Sequence, residues 1–384
     1  MSGGVDSSVA AVLLRQQGYE VVGCFMRLGS PGETLDELVM PAHDDAPACD
    51  PKRIKIGHQG CCSVSDAADA RQVATELEIP FYVVNFKKEF GRIMDYFADE
   101  YAQGRTPNPC VRCNDWLKFG KLHDYAQQID ADFVASGHYA RIERDGESDV
   151  ALHRGVDSAK DQSYVLFGMP RAQLARTLLP IGGLAKPEVR RIAQAHNLPV
   201  FNKPDSQEIC FVPDNDYAGF VERRRPELKS QGAGVIQDTD GQPIGTHNGQ
   251  HRFTIGQRRG VGMALGYPIF VVGKNAAANT ITVGSKTDLQ STQCTVAEAN
   301  WLAAMPPAGQ NLPCMVQYRY NSDPVAATVS SLDDAPLGAH SPSGRRGRFA
   351  ITFAEPQSAV TPGQAAVVYQ GERVLGGGWI ESVG

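Results

Sequence analysis

Apolar side chains at Val5, Val9, Leu13 and Leu14 recur at helical spacing and predict a helix from Val5 to Gln17, ended by Gly18. The following run, Tyr19 to Met26, is apolar enough for a buried strand. Ser63 to Glu78 then predicts a helix with Ser63 as N-cap, and Phe81 to Val84 a strand. Lys87 to Gln103 carries a helical stripe at Phe90, Ile93, Met94, Phe97 and Tyr101, with Gly104 as its stop. Asn114 would cap a further helix through Gln128, and Phe133 to Ala135 would add a strand. Helix and strand in alternation imply a mostly parallel sheet with helices on both faces.

From about Arg141 the pattern changes. Asp145 and Gly146 mark a hairpin turn, and Pro187 to His196 reads as a helix with proline in its first turn. Beyond Gly232 short alternating runs take over: Phe270 to Val272, Thr280 to Val283, Cys314 to Tyr320, Arg348 to Phe353 and Ala365 to Tyr369. Turn signals between them predict an all-β barrel or sandwich. The expected organisation is α/β: a Rossmann-like parallel-sheet domain over 1–213, a small central domain over 214–290 and a C-terminal β-barrel-like domain over 291–384. Arg27 to Gly60 and Asp333 to Gly347 read as long irregular loops.

Composition narrows the classes. The chain has 384 residues, 42% hydrophobic and 21% charged, which suits a globular protein of two or three domains. No apolar run is long enough to span a bilayer and no signal peptide is legible, so a cytoplasmic location is expected. In that compartment nine cysteines point to thiol chemistry or metal ligation rather than a disulfide scaffold. The net charge of −6 means that any nucleic-acid footprint must be local. Arg223, Arg224, Arg225 and Lys229, with Arg252, Arg258 and Arg259, offer one, although composition alone favours a solvated surface.

The opening stretch Ser2 to Ser8, SGGVDSS, resembles the phosphate loop of the ATP pyrophosphatases, which split ATP between its α- and β-phosphates. Gly3 and Gly4 lack a Cβ, so backbone N–H groups can close on an anion. Ser2, Ser7 and Ser8 add hydroxyls, and the next helix adds the positive end of its dipole. The competing reading is a plain helix start capped by Ser2 or Asp6. The loop has no lysine and so differs from the kinase and GTPase loop. Such a loop normally follows a strand, so a few apolar residues are expected upstream in the natural protein.

Two cysteine sites stand apart. Cys110 and Cys113 form a C-x-x-C pair in GRTPNPCVRCN, where Pro107 and Pro109 predict a stiff extended loop just before a helix N-terminus, a setting that favours thiolate. Half a zinc site is the rival, but no second C-x-x-C follows at finger spacing. Cys210 lies in DSQEICF between Ile209 and Phe211, where packing in a core is the plain alternative. Cys24, Cys294 and Cys314 read as small buried hydrophobes, and Cys61 and Cys62 stay unassigned. Separated thiols plus an adenylating loop suggest sulfur transfer onto an activated oxygen.

Across nearly its whole length the chain resembles the bacterial tRNA-specific 2-thiouridylases. The shared stretches are SGGVDSS, GRTPNP with its cysteine loop, SGHYAR (136–141), KDQSYVL (160–166), DSQEICF (205–211), TIGQRRG (254–260), TPGQAAV (361–367) and LGGGWI (375–380). The resemblance implies that ATP adenylates the 2-oxygen of the wobble uridine, that a persulfide sulfur attacks the ring carbon and that AMP leaves. It implies Cys210 as the persulfide carrier and Cys113 as the partner that frees the sulfur or closes a disulfide. Ser2, Gly3, Gly4, Val5, Asp6 and Ser7 would hold the phosphates of ATP, with Met26 and Gly137 at the adenosine. Asn108, Pro109, Cys110, His138, Lys160, Asp161, Gln162, Arg319, Tyr320 and Gln364 fall where the family meets tRNA. Asp6 would help to hold Mg²⁺, and a persulfide or thiocarboxylate relay protein would supply sulfur. Many members carry aspartate where this chain has Cys110. That departure puts an acid–base role in doubt and opens a second route, an iron–sulfur cluster on Cys110, Cys113 and Cys210. Rival functions are those of an amide-forming or lysine-adding ligase with the same loop, or of a redox-sensing nucleotide binder.

Overall fold

The structure, a computed structural model, describes residues 1–29, 64–145, 149–205, 209–263, 266–303, 310–332 and 347–384. Most of both expected long loops, Cys61, Cys62, Ser63, Gly146 and Ser206 to Glu208 lie outside these residues. In chain order the main elements are α1 (Val5–Gln16), β1 (Gly23–Arg27), α2 (Val64–Glu76), β2 (Phe81–Asn85), α3 (Lys87–Ala102), α4 (Pro109–Cys113), a π-helical segment (Asn114–Lys121) and α5 (Leu122–Gln128). There follow β3 (Val134–Ala135), β4 (Ala140–Asp145), β5 (Asp149–Arg154), α6 (Arg171–Leu174), β6 (Thr177–Leu178), α7 (Lys186–Ala195), α8 (Tyr217–Arg224) and α9 (Pro226–Lys229). Strands then dominate: β7 (Gly234–Gln237), β8 (Pro243–His247), β9 (Phe270–Asn275), β10 (Thr280–Gly284), β11 (Gln290–Trp301), β12 (Asn311–Gln317), β13 (Val325–Ser331), β14 (Phe349–Ser358), β15 (Ala365–Gln370) and β16 (Arg373–Val383).

These elements form two compact units, one of Met1–Phe90 with Pro187–Asp216, the other of Gly91–Lys186 with Tyr217–Gly384. In the first, β1 and β2 pair in parallel from Gly23↔Phe81 to Arg27↔Asn85. Helix α1 buries Val5, Val9, Val12 and Leu14, so its inner face runs through Val12 where the sequence pattern placed Leu13. The first strand begins at Gly23, later than expected, because Tyr19 and Val22 are exposed.

In the second unit β3 and β6 form another parallel pair, so the parallel pairing of the α/β part occurs as two short pairs. Strands β8-β7-β10-β9 make a small sheet around Ile236, Val271 and Ile281. Strands β11-β14-β13-β12-β15-β16 follow one another, and a β11–β16 pairing closes them into a six-stranded barrel. Its interior is filled by Val296, Val316, Val329, Phe349, Ile351 and Val368. Closure leaves no edge on those strands. The GGG of LGGGWI lies where β16 is pressed between its neighbours: a Cβ on Gly376, Gly377 or Gly378 would stand 2.5 Å from the carbonyl oxygen of Asn300, Ala366 or Ala297 respectively. The hairpin β4–β5 adds to β16 at Arg373↔His153.

Candidate active site

The phosphate loop is shaped by backbone fit. Gly3 has φ +71°, and a Cβ there would stand 2.3 Å from the Asp66 carbonyl oxygen. Gly4, and neither Ser2 nor Asp6, is the N-cap of α1, and no side chain caps the helix start. Ser7 and Ser8 donate their hydroxyls to the Gly4 carbonyl at 3.2 and 2.9 Å, while Ser7 Oγ accepts from the Ser2 amide at 3.1 Å. The hydroxyls thus fold the loop onto the start of α1, and a helix N-terminus without a side-chain cap is a setting that favours an anion. Val5 is buried as the first helical residue, Asp6 sits in the first turn, and Met26 is half-buried on β1.

Sequence reasoning missed a cation on this loop. Lys203 Nζ donates to the Gly3 carbonyl at 2.9 Å, to Asp66 Oδ1 at 2.6 Å and to Asp69 Oδ2 at 2.5 Å. Burial works against its charge, but the hydrogen bonds and charges of both aspartates outweigh that and raise its pKa. Arg190 of α7 fixes the same segment, donating to the carbonyls of Phe201 and Lys203 at 2.9 and 3.0 Å and pairing with Asp205 at 3.3 Å. The segment these cations hold leads to Cys210. That thiol is half-buried, next to Phe211, whose ring meets Phe90 edge-on at 5.7 Å. The only legible signal was a lysine and an aspartate flanking Pro204.

Cys110 and Cys113 lie in a helical turn, contrary to the expected extended loop. Asn108 caps it, accepting from the Val111 amide at 3.4 Å, and Pro109 takes the first helical position, where its missing N–H costs nothing. The helix therefore starts five residues before Asn114 and widens there into the π segment, with Asn114 Nδ2 donating to the Cys110 carbonyl at 3.1 Å. Cys110 is exposed and Cys113 half-buried. By contrast, burial pushes the Cys294 and Cys314 thiols up to about 12 and raises Cys24, although of the three only Cys294 is fully buried.

Most residues expected at tRNA gather in the second unit. The Tyr320 phenol is pushed up by burial first, then by the charges of Cys110 and Asp161, and it interacts with Lys160 and Gln162. Its ring lies 5.8 Å from Tyr164, whose phenol interacts with Asn108. Arg319, Tyr320 and Gln364 line a cavity of about 380 Å³ with Thr106, Thr254 and Gly256. Gln364 Nε2 donates to the Thr106 carbonyl at 2.9 Å, and Thr106 Oγ1 is buried without a hydrogen-bond partner. Asp161 is turned inward, accepting from the Gly155 and Ser163 amides at 3.0 Å each and pairing with Arg154 at 3.3 Å. His138 is buried beside Gly137, between Ser136 Oγ at 2.7 Å and Lys118 Nζ at 3.3 Å, and burial, then Lys118, lowers its pKa.

Three members of the basic run are paired with carboxylates, while Arg223, Lys229, Arg258 and Arg259 are exposed. Arg224 pairs with Asp95 at 3.0 Å, Arg225 with Asp99 at 2.6 Å and Asp95 at 3.3 Å, and Arg252 with Glu222. These arginines fasten helix to helix. Among the described residues no group of three or more His, Cys, Asp or Glu side chains is placed to hold a metal ion. Cys110 and Cys113 belong to the second unit and Cys210 to the first, and Asp6 suits Mg²⁺ as one ligand beside phosphates and water.

An uncapped, glycine-built phosphate loop on an α/β unit, with a small sheet and a closed barrel downstream, defines a modular enzyme of the ATP pyrophosphatase type. Comparisons with known proteins agree. The tRNA methyl transferase HUP domain family matches residues 1–214, the tRNA methyl transferase PRC-barrel domain family 219–285 and the aminomethyltransferase beta-barrel domain family 291–380. Relatives named tRNA-specific 2-thiouridylase from Rhodopirellula baltica and Geobacter metallireducens are 44% and 45% identical, over 99% and 100% of this chain and 94% and 95% of their own. The chain belongs to the tRNA-specific 2-thiouridylase family.

Proposed function

We propose that this protein replaces the 2-oxygen of the wobble uridine of tRNA with sulfur at the expense of ATP. A pyrimidine carbonyl oxygen is a poor leaving group; adenylation makes it a phosphate ester and releases pyrophosphate. The Gly3–Gly4 turn and the start of α1 would bind the phosphates, with Mg²⁺ on the departing pyrophosphate. Cys210 would carry a sulfane sulfur delivered by a relay protein. Cys113 attacks the Cys210 sulfur, the freed hydrosulfide adds to the ring carbon, AMP leaves and a Cys113–Cys210 disulfide remains for a thiol reductant. Electrons balance: the sulfane sulfur gains two, and the two thiols lose them. The target base must leave its stack to react, as for other base-modifying enzymes.

The observation that carries the reading is the convergence of Asn108, Cys110, Lys160, Asp161 and Gln162 on Tyr164 and Tyr320, from motifs far apart in the chain. An exposed tyrosine beside polar groups suits stacking of an unpaired base. We read 1–213 as the adenylating domain, 214–290 and 291–384 as domains that meet RNA, and the cytoplasm as its location; no helix among the described residues is long and apolar enough to cross a membrane. Product analysis with ATP and unmodified tRNA tests this: AMP and pyrophosphate released only when tRNA is present support it, and ADP with phosphate contradicts it.

A further inference from the structure

Arg112 stands between the two thiols of α4, yet it is almost wholly buried, at 4% exposure. Its guanidinium carbon lies 4.0 Å from the Trp379 ring centroid, 4.9 Å from Tyr96 and 5.2 Å from Trp116. Nη2 is 3.0 Å from both carboxylate oxygens of Glu298. The four partners come from α3, the π segment, β16 and β11. Glu298 has φ +49° and sits where the β11–β16 register slips between Ala297 and Asn300. That bulge re-aims the strand, as bulges do. Arg112 Nε has no hydrogen-bond partner, and the side chain is held by ring faces, the Glu298 carboxylate and the Tyr96 phenol.

α4 is the first turn of a helix that runs on without a break through the π segment and α5, so where its thiols sit depends on how that first turn is anchored. The π segment that follows is eight residues long and wider than an α-helix, which sets the next side chains in a different phase. Asn108 pins the start of the turn, Val111 is buried in the core, and Arg112 seats the turn on the aromatic cage. A rotation of α4 would swing both thiols and drag a buried cation out of its aromatic cage.

We propose that Arg112 is a positioning residue for the Cys110 and Cys113 thiols, and that Trp379 and Glu298 thereby make the C-terminal barrel part of the sulfur-handling machinery as well as an RNA surface. This rests on the sulfur-handling role of Cys113 given above, but not all of its test does. Iodoacetamide alkylation of Cys113 and Cys210, followed by mass spectrometry on the full chain without ATP or tRNA, reads thiol placement directly. In Arg112→Lys, which keeps the charge but loses the planar stack, the Cys113 rate shifts by about fivefold or more while Cys210 stays within about twofold. With ATP, tRNA and a sulfane donor, the same variant releases AMP at near the parent rate, but its thiouridine-to-AMP ratio drops to about a tenth. Glu298→Gln, whose side chain lies half in solvent, shifts both readouts the same way by about two- to threefold and covers the case in which Arg112→Lys fails to fold. Equal changes at both thiols, or no change at Cys113 in either folded variant, overturn the proposal. A parent protein that makes no thiouridine instead overturns the function reading, and the alkylation result still decides whether Arg112 sets the thiol turn.

Discussion

The two cysteine segments are held by opposite means. Around Cys210 the restraint is ionic and half in solvent: Lys203 on Gly3, Asp66 and Asp69, and Arg190 on Asp205. Around Cys113 it is a buried cation among aromatic rings, seated on a closed barrel. Two lysines, one in each unit, show a similar split. In the first unit Lys203 has its pKa raised by paired carboxylates. In the second, Lys274 is half-buried, donates to the Phe253 carbonyl at 2.7 Å and has its pKa lowered to about 7 by desolvation. A segment strapped by exposed ion pairs can yield at small cost, which would suit the sulfur carrier proposed for Cys210. A turn seated by packing cannot yield so cheaply, which would suit the partner role proposed for Cys113.

Four changes probe this contrast, in falling order of effect. Gly3→Ala forces a Cβ to 2.3 Å from the Asp66 carbonyl at a φ of +71°, so ATP affinity should drop at least about 100-fold and stability by about 2 kcal/mol. Calorimetric titration and urea midpoints report both; near-parent ATP binding would mean the loop does not hold phosphate. Lys203→Met leaves the Gly3 carbonyl and two aspartates without their donor, and should weaken ATP binding about 10-fold and speed proteolysis between Phe201 and Cys210. Unchanged cleavage would show that the strap restrains nothing.

The lysines also differ in pH response. Lys203, with a raised pKa, gives stability that is complete below the ordinary 10.5 and lost only as pH climbs through the higher folded value, so it adds no slope near neutrality. Lys274 is opposite: between about 7 and 10.5 the unfolded chain holds a proton that the folded one has lost, so stability rises with pH there. Urea midpoints should climb across that window in the parent protein and flatten in Lys274→Met, whereas a parallel climb would assign the slope elsewhere. The smallest effect is at Arg224. Its charge is spent on Asp95, so Arg224→Ala should change tRNA affinity by less than about twofold and leave its salt dependence intact. A larger loss would restore the basic run as an RNA footprint.

Local pattern made much of this legible. Helix stripes set α1 and α3 to within a residue or two, and alternation located three of the six barrel strands, β12, β14 and β15. The cysteine turn was misread because two prolines signal extension, whereas Asn108 before Pro109 is a cap followed by the one helical position that proline favours. The π segment has no pattern of its own. Lys203 on Gly3 and Arg112 on Trp379 join residues 200 and 267 positions apart, and a single sequence records nothing of such pairings. The paired state of Arg224 and Arg225 was hidden likewise, since Asp95 and Asp99 lie on another helix.

The most direct measurement is nucleoside mass analysis of unmodified tRNA incubated with ATP, a sulfane donor and the parent protein, Cys113→Ser or Cys210→Ala. The account predicts 2-thiouridine with the parent and a fall of at least about 10³-fold with either variant, while AMP release persists. Thiouridine formed undiminished by both variants, or absent with the parent, would contradict it.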